Sequence, residues 1–339
     1  MGLEEFLAEW HNDSPTVLVH TSGSTGQPKP MLVEKRRMEA SARITCQFLG
    51  LHKGDTALLC MPLDYIAGKM MVVRALTCGL KLISVVPGGH PLSFLLSSEE
   101  RDTPLSFVAM VPMQVYNSLQ VPAERECLRQ VRHLIIGGGA IDDVLASELR
   151  TFPHAVWSTY GMTETLSHIA LRRLNGPEAS DWYTPLDGVS VSRNADGCLV
   201  INAPAVHDGP LVTNDIVELR PLLHSEETGR RAFRILGRKD NVICSGGIKI
   251  QIEEVEQLLK PHLQQPFAIT RRKDIKFGEI VVLLTESKNI GTIDTLCTRL
   301  LPPYWRPKLI LSVDYIPLTE TGKIARQKAE ALATFTVEV

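Results

Sequence analysis

The sequence has little of several features that mark particular classes of protein. Its 339 residues carry 36 Lys and Arg against 38 Asp and Glu, which gives a formal charge of −2, and no dense basic tract is present. Nucleic acid and anionic membranes are therefore poor candidates for partners. No apolar run is long enough for a membrane-spanning helix, and the acidic first residues lack the basic charge of a signal peptide. We expect a cytoplasmic protein without a membrane span.

Closely spaced cysteine pairs are also absent. The 7 cysteines are scattered along the chain, at Cys46, Cys60, Cys78, Cys127, Cys198, Cys244 and Cys297. This spacing predicts neither a zinc knuckle nor a redox dithiol. Most of these thiols are expected to be buried and reduced.

The chain does contain short apolar strands that alternate with amphipathic helices. Strands are predicted at 56–61, 82–86, 107–111, 133–136 and 155–159, and helices at 35–49, 69–78, 112–119 and 141–152. This alternation is typical of a largely parallel sheet that is covered by helices.

The composition changes near Asn175, where Gly, Pro, Asp and Asn separate short strands at 199–202 and 216–219. That pattern favours an antiparallel or barrel-like module. A polar junction follows at 237–241. Beyond it, strands at 242–243, 267–270 and 279–284 and helices at 252–259 and 292–300 predict a small α+β unit, followed by a proline-rich tail. We place the boundary at Asp240, which gives domains 1–239 and 240–339.

One motif near the start has the parts of a phosphate-binding loop. The apolar run 16–19, predicted to be a buried strand, is followed by Thr21-Ser22-Gly23-Ser24-Thr25-Gly26-Gln27-Pro28-Lys29. The glycines let the backbone approach a ligand closely, the hydroxyls can donate, and the lysine adds positive charge. The P-loop of kinases and GTPases is excluded, because its lysine directly follows the second glycine, whereas Gln27 follows Gly26 here.

A second motif, Ser158-Thr159-Tyr160-Gly161-Met162-Thr163-Glu164-Thr165, ends a predicted strand, where open α/β sheets bind ligands. An exposed aromatic ring can stack on a purine, a hydroxyl can bind phosphate, and a carboxylate can hold magnesium. The alternative is a helix cap, with Thr163 as the capping residue and Glu164 in the first turn.

In this order the two motifs resemble the Thr-Ser-Gly-Ser-Thr-Gly-x-Pro-Lys and Tyr-Gly-x-Thr-Glu blocks of the adenylate-forming superfamily, which comprises acyl-CoA synthetases, luciferases and adenylation domains. The segments 212–215, 237–240, 245–250 and 317–324 resemble later blocks of that superfamily, in the same order. Asn214 replaces a glycine of the pattern, and Cys244 stands where lysine is common.

The resemblance implies an α/β fold: a large N-terminal α/β domain with predominantly parallel sheets and a barrel-like module, and a small mobile α+β C-terminal domain. Superfamily members carry a longer segment before the phosphate loop than the residues that precede Thr21. We therefore expect an N-terminally truncated version of the adenylate-forming fold.

The resemblance also implies ATP, Mg²⁺ and coenzyme A as ligands. Their binding residues would be Thr21, Ser22, Gly23, Ser24, Thr25, Gly26 and Lys29 for the pyrophosphate end, Gly138, Gly139, Ala140, Tyr160 and Gly161 for adenine, and Asp215 and Arg238 for ribose. Gly246 and Gly247 would line the pantetheine tunnel. Thr163 would bind the α-phosphate, Glu164 would hold the metal, Asp240 would be the hinge, and Lys323 would bridge the substrate carboxylate and the α-phosphate.

The segment 61–69 occupies the superfamily's acyl-pocket block, with Tyr65 where an aromatic residue or histidine is frequent. Lys69 and Arg74 lie on one predicted helix, and either could meet a second carboxylate of the substrate; solvated helix charges are the alternative. The block is similar to that of compact o-succinylbenzoate–CoA ligases of menaquinone synthesis. This implies an ATP-dependent acid–CoA ligase that acts on an aromatic dicarboxylate.

Other functions stay open at this point. They are another acyl- or aryl-CoA ligase, an amino-acid adenylating enzyme, and a catalytically inactive nucleotide-binding regulatory protein. A homodimer is a further expectation, because subunit pairing could cover surfaces left by the missing segment.

Overall fold

The computed structural model describes residues 1–20, 30–139, 141, 143–222, 230–319 and 322–335. The chain divides into two compact units. The first comprises Met1–Ser192, Val200–Leu211 and Leu219–Arg234, and the second comprises Arg193–Leu199, Val212–Glu218 and Ile235–Val339. The division into domains at Asp240 stays a prediction. The described helices include none with the length and apolar character that a bilayer crossing requires.

The first unit begins with a helix, an antiparallel ribbon and a second helix: α1 (Leu3–His11), β1 (Thr16–His20), β2 (Pro30–Glu34) and α2 (Lys35–Phe48). The prediction of a buried first strand is wrong in part. Val17 and Val19 are buried, whereas Leu18 is 41% exposed and lies opposite Leu32 of β2. Because side chains alternate between the faces of a strand, this two-stranded ribbon buries only one face.

The elements that follow include the strands and helices that the sequence predicts between residues 56 and 159, together with two helices (91–96 and 122–129) and two strands (168–173 and 184–185) that it does not predict. They are β3 (Thr56–Leu59), α3 (Ile66–Cys78), β4 (Lys81–Ser84), α4 (Pro91–Leu96), β5 (Phe107–Met110), α5 (Pro112–Gln120), α6 (Pro122–Arg129), β6 (His133–Ile136), α7 (Asp143–Leu149), β7 (Ala155–Gly161), β8 (His168–Arg173) and β9 (Thr184–Pro185). These strands form a seven-stranded sheet of order β4-β3-β5-β6-β7-β8-β9. Pairs from β4 to β7 are parallel, and β8 and β9 are antiparallel additions. The predicted parallel sheet is confirmed.

The bounds of α3 and α7 differ from the predictions. Helix α3 begins at Ile66, within the segment predicted as a turn, and its first turn packs onto the preceding loop. Gly68 permits this, because a Cβ there would lie 2.2 Å from the Pro62 carbonyl oxygen. Helix α7 is shorter than the predicted 141–152 and ends at Leu149.

The region predicted as a barrel-like module is a four-stranded sheet. Its strands are β10 (Ser190–Arg193), β11 (Cys198–Asn202), β12 (Leu211–Pro221) and β13 (Arg231–Arg238). Their order in the sheet follows their order in the chain. Strands that are neighbours both in the chain and in the sheet need only short connections. The many Gly, Pro, Asp and Asn residues of this region agree with such connections.

The second unit contains a five-stranded sheet and three helices: β14 (Val242–Ser245), β15 (Ile248–Gln251), α8 (Ile252–Leu259), β16 (Phe267–Asp274), β17 (Gly278–Thr285), α9 (Ile290–Leu300), β18 (Leu309–Ser312) and α10 (Arg326–Phe335). The sheet order is β15-β14-β17-β16, with β18 parallel to β17. The tail that was predicted only as proline-rich thus supplies a strand and a helix.

The central strand β17 of this sheet is buried on both faces. Val281 and Leu283 pack into a core formed with α8 and α9, while Val282 and Leu284 pack into a second core that includes Ala329 of α10. The alternation follows from the two-residue period of a strand. Helix α10 is therefore anchored on the sheet, and the segment that precedes it carries Lys323.

Candidate active site

Strands β3, β5, β6 and β7 run parallel, so the loops that follow them lie at one edge of the sheet. The turn after β6 contains Gly138 and Gly139, and Tyr160 lies near the end of the neighbouring strand β7. Gly138 has φ of +78°, and a Cβ on Gly137 would lie 2.4 Å from Thr159 Oγ1. Glycine is therefore required at Gly138 by the backbone conformation and at Gly137 by close packing on β7.

Tyr160 departs from the expectation of an exposed ring. It is only 8% exposed, and its ring packs edge-on against Phe233 at 5.0 Å and tilted against Tyr183 at 5.9 Å. Tyr183 and Phe233 are joined by two backbone hydrogen bonds and stack on each other. The prediction of an exposed ring is wrong, because Tyr183 and, from β13, Phe233 cover the ring of Tyr160. The adenine-binding role of Tyr160 stays a prediction.

The segment after β7 is a tight, strained turn. Gly161 has no room for a side chain, since a Cβ would lie 2.3 Å from the Ser167 carbonyl oxygen. Thr163–Thr165 forms a three-residue 3₁₀ helix, and Thr163 is buried. The alternative that Thr163 caps a helix is wrong, because Met162 occupies the capping position. Leu166 has φ of +64°, the one positive value of a non-glycine residue in the part of the chain that the structure describes. Such strain is concentrated at functional sites.

Glu164 is half-buried in the middle of this 3₁₀ helix. Among the described residues, no group of three or more His, Cys, Asp or Glu side chains could hold a metal ion. A magnesium ion accompanying ATP needs no such group, because Mg²⁺ is typically bound by one or two carboxylates together with substrate phosphates and water. The assignment of Glu164 to this ion stays a prediction.

Arg238 links two of the predicted site residues. Its Nη1 lies 3.4 Å from Asp215 Oδ1, and its Nη2 donates to Asp240 Oδ2 at 2.8 Å. Asp215 is buried within β12, and its amide donates to Thr213 Oγ1 at 3.1 Å. The alternative that Asp215 is a turn residue is therefore wrong. The predicted ribose pair and the predicted hinge residue lie together in the second unit.

Lys323 belongs to the same group. Lys323 is exposed, yet its pKa is lowered, first by desolvation and then by the positive charge of Arg238, while Asp215 opposes the shift. Arg238 and Asp215 therefore act on Lys323 through electrostatics within the second unit. The backbone of Lys323 is held by Thr319, and Gly322 has φ of +77°. Asp215, Arg238 and Lys323 thus belong to one unit, in which Arg238 contacts Asp215.

Gly246 and Gly247 form the two-residue turn of the β14–β15 hairpin. Their φ values are +56° and +83°, and Ser245 pairs with Ile248 on either side. Two successive positive φ angles are typical of a type I′ turn. The Gly246 amide donates to the Phe277 carbonyl at 2.8 Å, which attaches this turn to the β16–β17 hairpin. Their place in a pantetheine tunnel stays a prediction.

The two basic residues of α3 are not solvated helix charges, so that alternative is wrong. Lys69 is 3% exposed; its Nζ donates to the Leu18 carbonyl at 2.8 Å and lies 3.5 Å from Glu9 Oε2. It also lies 5.3 Å above the ring of Phe6. The ammonium group is satisfied by the protein itself, and it ties α3 to α1 and β1.

Arg74 is different. It is 2% exposed, its Nη2 donates to Ser167 Oγ, and its Nη1 reaches only the Met71 sulfur at 3.8 Å. Its Nε is buried without a hydrogen-bond partner in the described part of the chain. Burial lowers its pKa to about 10. None of the described carboxylates forms an ion pair with this guanidinium. Tyr65, which precedes α3, is 41% exposed.

Gln114 was missed by the sequence interpretation. It is 4% exposed; its Oε1 accepts from the Val111 amide at 3.2 Å, and its Nε2 donates to the carbonyls of Cys60 at 3.1 Å and Gly88 at 2.9 Å. It therefore joins the segments that follow β3, β4 and β5 at the edge of the sheet that carries the site. The available signal was a glutamine three residues into a helix that begins with proline.

Several predicted residues lie outside the described residues. They are Thr21, Ser22, Gly23, Ser24, Thr25, Gly26 and Lys29 of the phosphate loop, and Ala140.

Comparison with known families decides the relationship. Residues 4–196 match the family described as AMP-binding enzyme, which is more than half of the chain. The chain belongs to the AMP-binding enzyme family. The matched region of this AMP-binding enzyme includes α3, the glycine turn after β6, and the strained turn after β7.

Individual relatives of this AMP-binding enzyme extend over most of its length. A 2-succinylbenzoate–CoA ligase of Enterococcus faecalis is 27% identical over 96% of this chain and 71% of its own length. A solved structure from Dyadobacter fermentans, an acyl-CoA synthetase (AMP-forming)/AMP-acid ligase II-like protein, is 32% identical over 97% of this chain and 92% of that chain, with a TM-score of 0.63.

Structures of o-succinylbenzoate CoA synthetase from Bacillus subtilis share the fold. The complex with the acyl-adenylate intermediate has a TM-score of 0.73 at 23% identity and covers 92% of this chain and 68% of that chain. The complex with ATP and magnesium ion has a TM-score of 0.72 at 22% identity over 92% and 69% of the two chains. The predicted fold class is confirmed.

Proposed function

We propose that this AMP-binding enzyme is an ATP-dependent acid–CoA ligase that converts 2-succinylbenzoate, an aromatic dicarboxylate, into its coenzyme A thioester. Membership of the family supports adenylation, and the activity named for the Enterococcus relative supports this substrate. The observation that carries the choice of a dicarboxylate is the state of Arg74. It is buried, and no described carboxylate pairs with it.

A buried guanidinium without a counter-ion costs free energy, because Ser167 and Met71 replace only part of its lost hydration. A substrate carboxylate would offset that cost, since the guanidinium fork can bind both carboxylate oxygens. Lys69 is excluded from this role because Glu9 and the Leu18 carbonyl already satisfy it. Arg74 is therefore proposed to bind the carboxylate that is not activated, and Tyr65 to lie near the entrance of the acyl pocket.

In the first half-reaction, an oxygen of the other carboxylate attacks the α-phosphorus of ATP, the bond to the β-phosphate oxygen breaks, and pyrophosphate leaves. Protein groups contribute position and charge stabilisation. We assign the pyrophosphate end to the phosphate loop, the α-phosphate to Thr163, and the ribose to Asp215 and Arg238. Lys323 would stabilise the negative charge that develops between the carboxylate and the α-phosphate.

In the second half-reaction, the thiol sulfur of coenzyme A attacks the acyl carbon, and AMP leaves with the electron pair of the acyl–oxygen bond. A thiol with a pKa near ~8.5 is partly ionised at neutral pH, so attack requires little further activation. Because a thiol and the Lys323 side chain would compete for the same space, Asp240 is proposed as the pivot about which the small domain turns. A cytoplasmic location and a homodimer stay predictions.

Exchange of labelled pyrophosphate into ATP tests the proposal. The full chain is assayed with 2-succinylbenzoate, benzoates, fatty acids and amino acids, with magnesium present. We expect exchange that depends on 2-succinylbenzoate and exceeds exchange with any monocarboxylate. Nucleotide binding without exchange for any acid would instead support a regulatory protein. Exchange with an amino acid alone would support an amino-acid adenylating enzyme.

A further inference from the structure

The Arg74 guanidinium is the first member of a chain of buried polar groups. Its Nη2 donates to Ser167 Oγ. Ser167 Oγ lies 3.3 Å from His168 Nδ1, and His168 Nε2 lies 3.1 Å from Thr45 Oγ1. Thr45 Oγ1 also lies 3.1 Å from the Ser41 carbonyl oxygen. The chain therefore runs from α3, through the turn before β8, to α2.

The donors and acceptors of this chain fit one direction. Arg74 can only donate, so Ser167 Oγ accepts from it and its own proton is available for His168 Nδ1. His168 then carries its proton on Nε2 and donates to Thr45, whose hydroxyl donates to the Ser41 carbonyl. With the opposite tautomer, Nδ1 would carry the proton and the Ser167 hydroxyl would lose this acceptor. The neutral Nε2–H tautomer gives each hydrogen bond of this chain one donor and one acceptor.

The surroundings favour this arrangement. His168 is 7% exposed, Thr45 is 0% exposed and Arg74 is 2% exposed, so water competes little for these hydrogen bonds. The pKa of His168 is lowered well below its usual value, first by burial and then by the positive charge of Arg74. A protonated imidazole would place a donor against the Ser167 hydroxyl and a second positive charge near the guanidinium.

We propose that His168 and Ser167 are positioning residues for substrate selection: neutral His168 orients Ser167, which holds the Arg74 guanidinium in the orientation that binds the second carboxylate of the acid. This inference rests on the proposed function. It assigns to His168 and Ser167 a role that no motif of the sequence indicated. Neither residue touches the reacting atoms, so their contribution lies in selectivity among acids.

The test compares the dicarboxylate with two monocarboxylates of the same shape. 4-Oxo-4-phenylbutanoate lacks the ring carboxylate of 2-succinylbenzoate, and 2-butanoylbenzoate lacks the side-chain carboxylate. The monocarboxylate that the wild-type chain adenylates must retain the carboxylate that is activated. This acid is the reference substrate. The readout is the ratio of kcat/KM for 2-succinylbenzoate to kcat/KM for that monocarboxylate, together with the thermal unfolding midpoint.

We expect Ser167→Ala and His168→Phe to lower this ratio by about tenfold, chiefly through a higher KM for the dicarboxylate, because the guanidinium is no longer oriented. His168→Asn should preserve more of the ratio, since its Oδ1 can stand in place of Nδ1 and accept from Ser167. His133→Phe is the matched control. His133 lies at the start of β6, whereas the candidate site follows the ends of the parallel strands. Its substitution should leave the ratio unchanged.

The inference is overturned if folded Ser167→Ala and His168→Phe keep the wild-type ratio. It is also overturned if they lose kcat/KM equally for both acids. Its failure differs from failure of the proposed function. If Arg74→Ala lowers the ratio and the Ser167 and His168 variants do not, only the positioning role is lost. If the wild-type chain adenylates no dicarboxylate, both the proposed substrate and the positioning role are overturned.

Discussion

The Lys323 amide donates to Thr319 Oγ1 at 3.1 Å, and the Thr319 amide donates to the Lys323 carbonyl at 2.7 Å. This pair joins Thr319 to Lys323, and Gly322 beside Lys323 takes a left-handed conformation. On the C-terminal side, Arg326 binds Glu256 through both terminal nitrogens, at 2.6 Å and 2.7 Å. Lys323 is thus held through its backbone on one side and followed by an anchored residue on the other, which agrees with the catalytic role proposed for it.

The first prediction concerns Lys323. Lys323→Ala should abolish acid-dependent pyrophosphate exchange, because the charge that develops in adenylation loses its stabilising cation. Thioester formation from supplied acyl-adenylate and coenzyme A should be retained. The two half-reactions are measured separately, and Lys288→Ala, an exposed lysine of the same unit, serves as the control. Equal loss of both half-reactions in Lys323→Ala would contradict its assigned role.

The second prediction concerns Asp240. Asp240→Pro should retain adenylation and block transfer to coenzyme A, because proline fixes φ at the proposed pivot. Asp240→Ala removes the same ion pair with Arg238 but leaves the backbone free, so it should transfer faster than Asp240→Pro. Release of AMP after addition of coenzyme A to preformed acyl-adenylate measures the difference. Normal overall turnover in Asp240→Pro would refute a moving hinge at this residue.

The third prediction is a dependence of stability on pH. In the unfolded chain His168 titrates near ~6.5, whereas in the fold its pKa is well below that value. Below pH ~6.5 the unfolded state therefore binds more protons at His168 than the folded state does. The contribution of His168 to the free energy of unfolding is fully present above this pH and is lost progressively as the pH falls below it. Its contribution to the slope approaches about 1.4 kcal/mol per pH unit. Denaturant unfolding of wild type and His168→Asn at pH 7.5, 6 and 5 should show a shallower decline in the variant; identical declines would count against a buried neutral His168.

The fourth prediction concerns the close packing at Gly161. A Cβ at this position would lie 2.3 Å from the Ser167 carbonyl oxygen, so Gly161→Ala must displace the strained turn. We expect a loss of about 2 kcal/mol in stability and a loss of adenylation. Gly291→Ala is the control: apart from its chain neighbours and the backbone of its own helix, no described atom lies within 4 Å of a Cβ there, and alanine favours the helix α9. Equal unfolding midpoints for the two variants would contradict the steric argument.

The strand and helix order of the first unit could be predicted because β3 and β5, buried on both faces, are continuous apolar runs. Strand β18 could not, because its four residues follow prolines and depend on parallel pairing with β17. Helix α10 was hidden for a similar reason. It is held by tertiary contacts of Ala329 and Ala333, and alanine gives a weak hydrophobic pattern.

The resemblance to the adenylate-forming superfamily singled out Asp215, Arg238 and Lys323, and the structure places Arg238 against Asp215, while the roles of all three stay predictions. Burial was not predictable in the same way. Arg74 resembles a solvated helix charge in the sequence, and only the fold shows that it is buried beside the turn that carries Ser167. Charged side chains are seldom buried, so local sequence gives the wrong expectation for one that is.

The most direct test of the proposed activity is AMP release by the full chain with ATP, magnesium and 2-succinylbenzoate, measured with and without coenzyme A, with the thioester identified by mass spectrometry. The account predicts a stoichiometric acyl-coenzyme A product and AMP release that requires both the acid and coenzyme A for continued turnover. ATP that stays intact in the presence of every acid tested, while the nucleotide still binds, would contradict it.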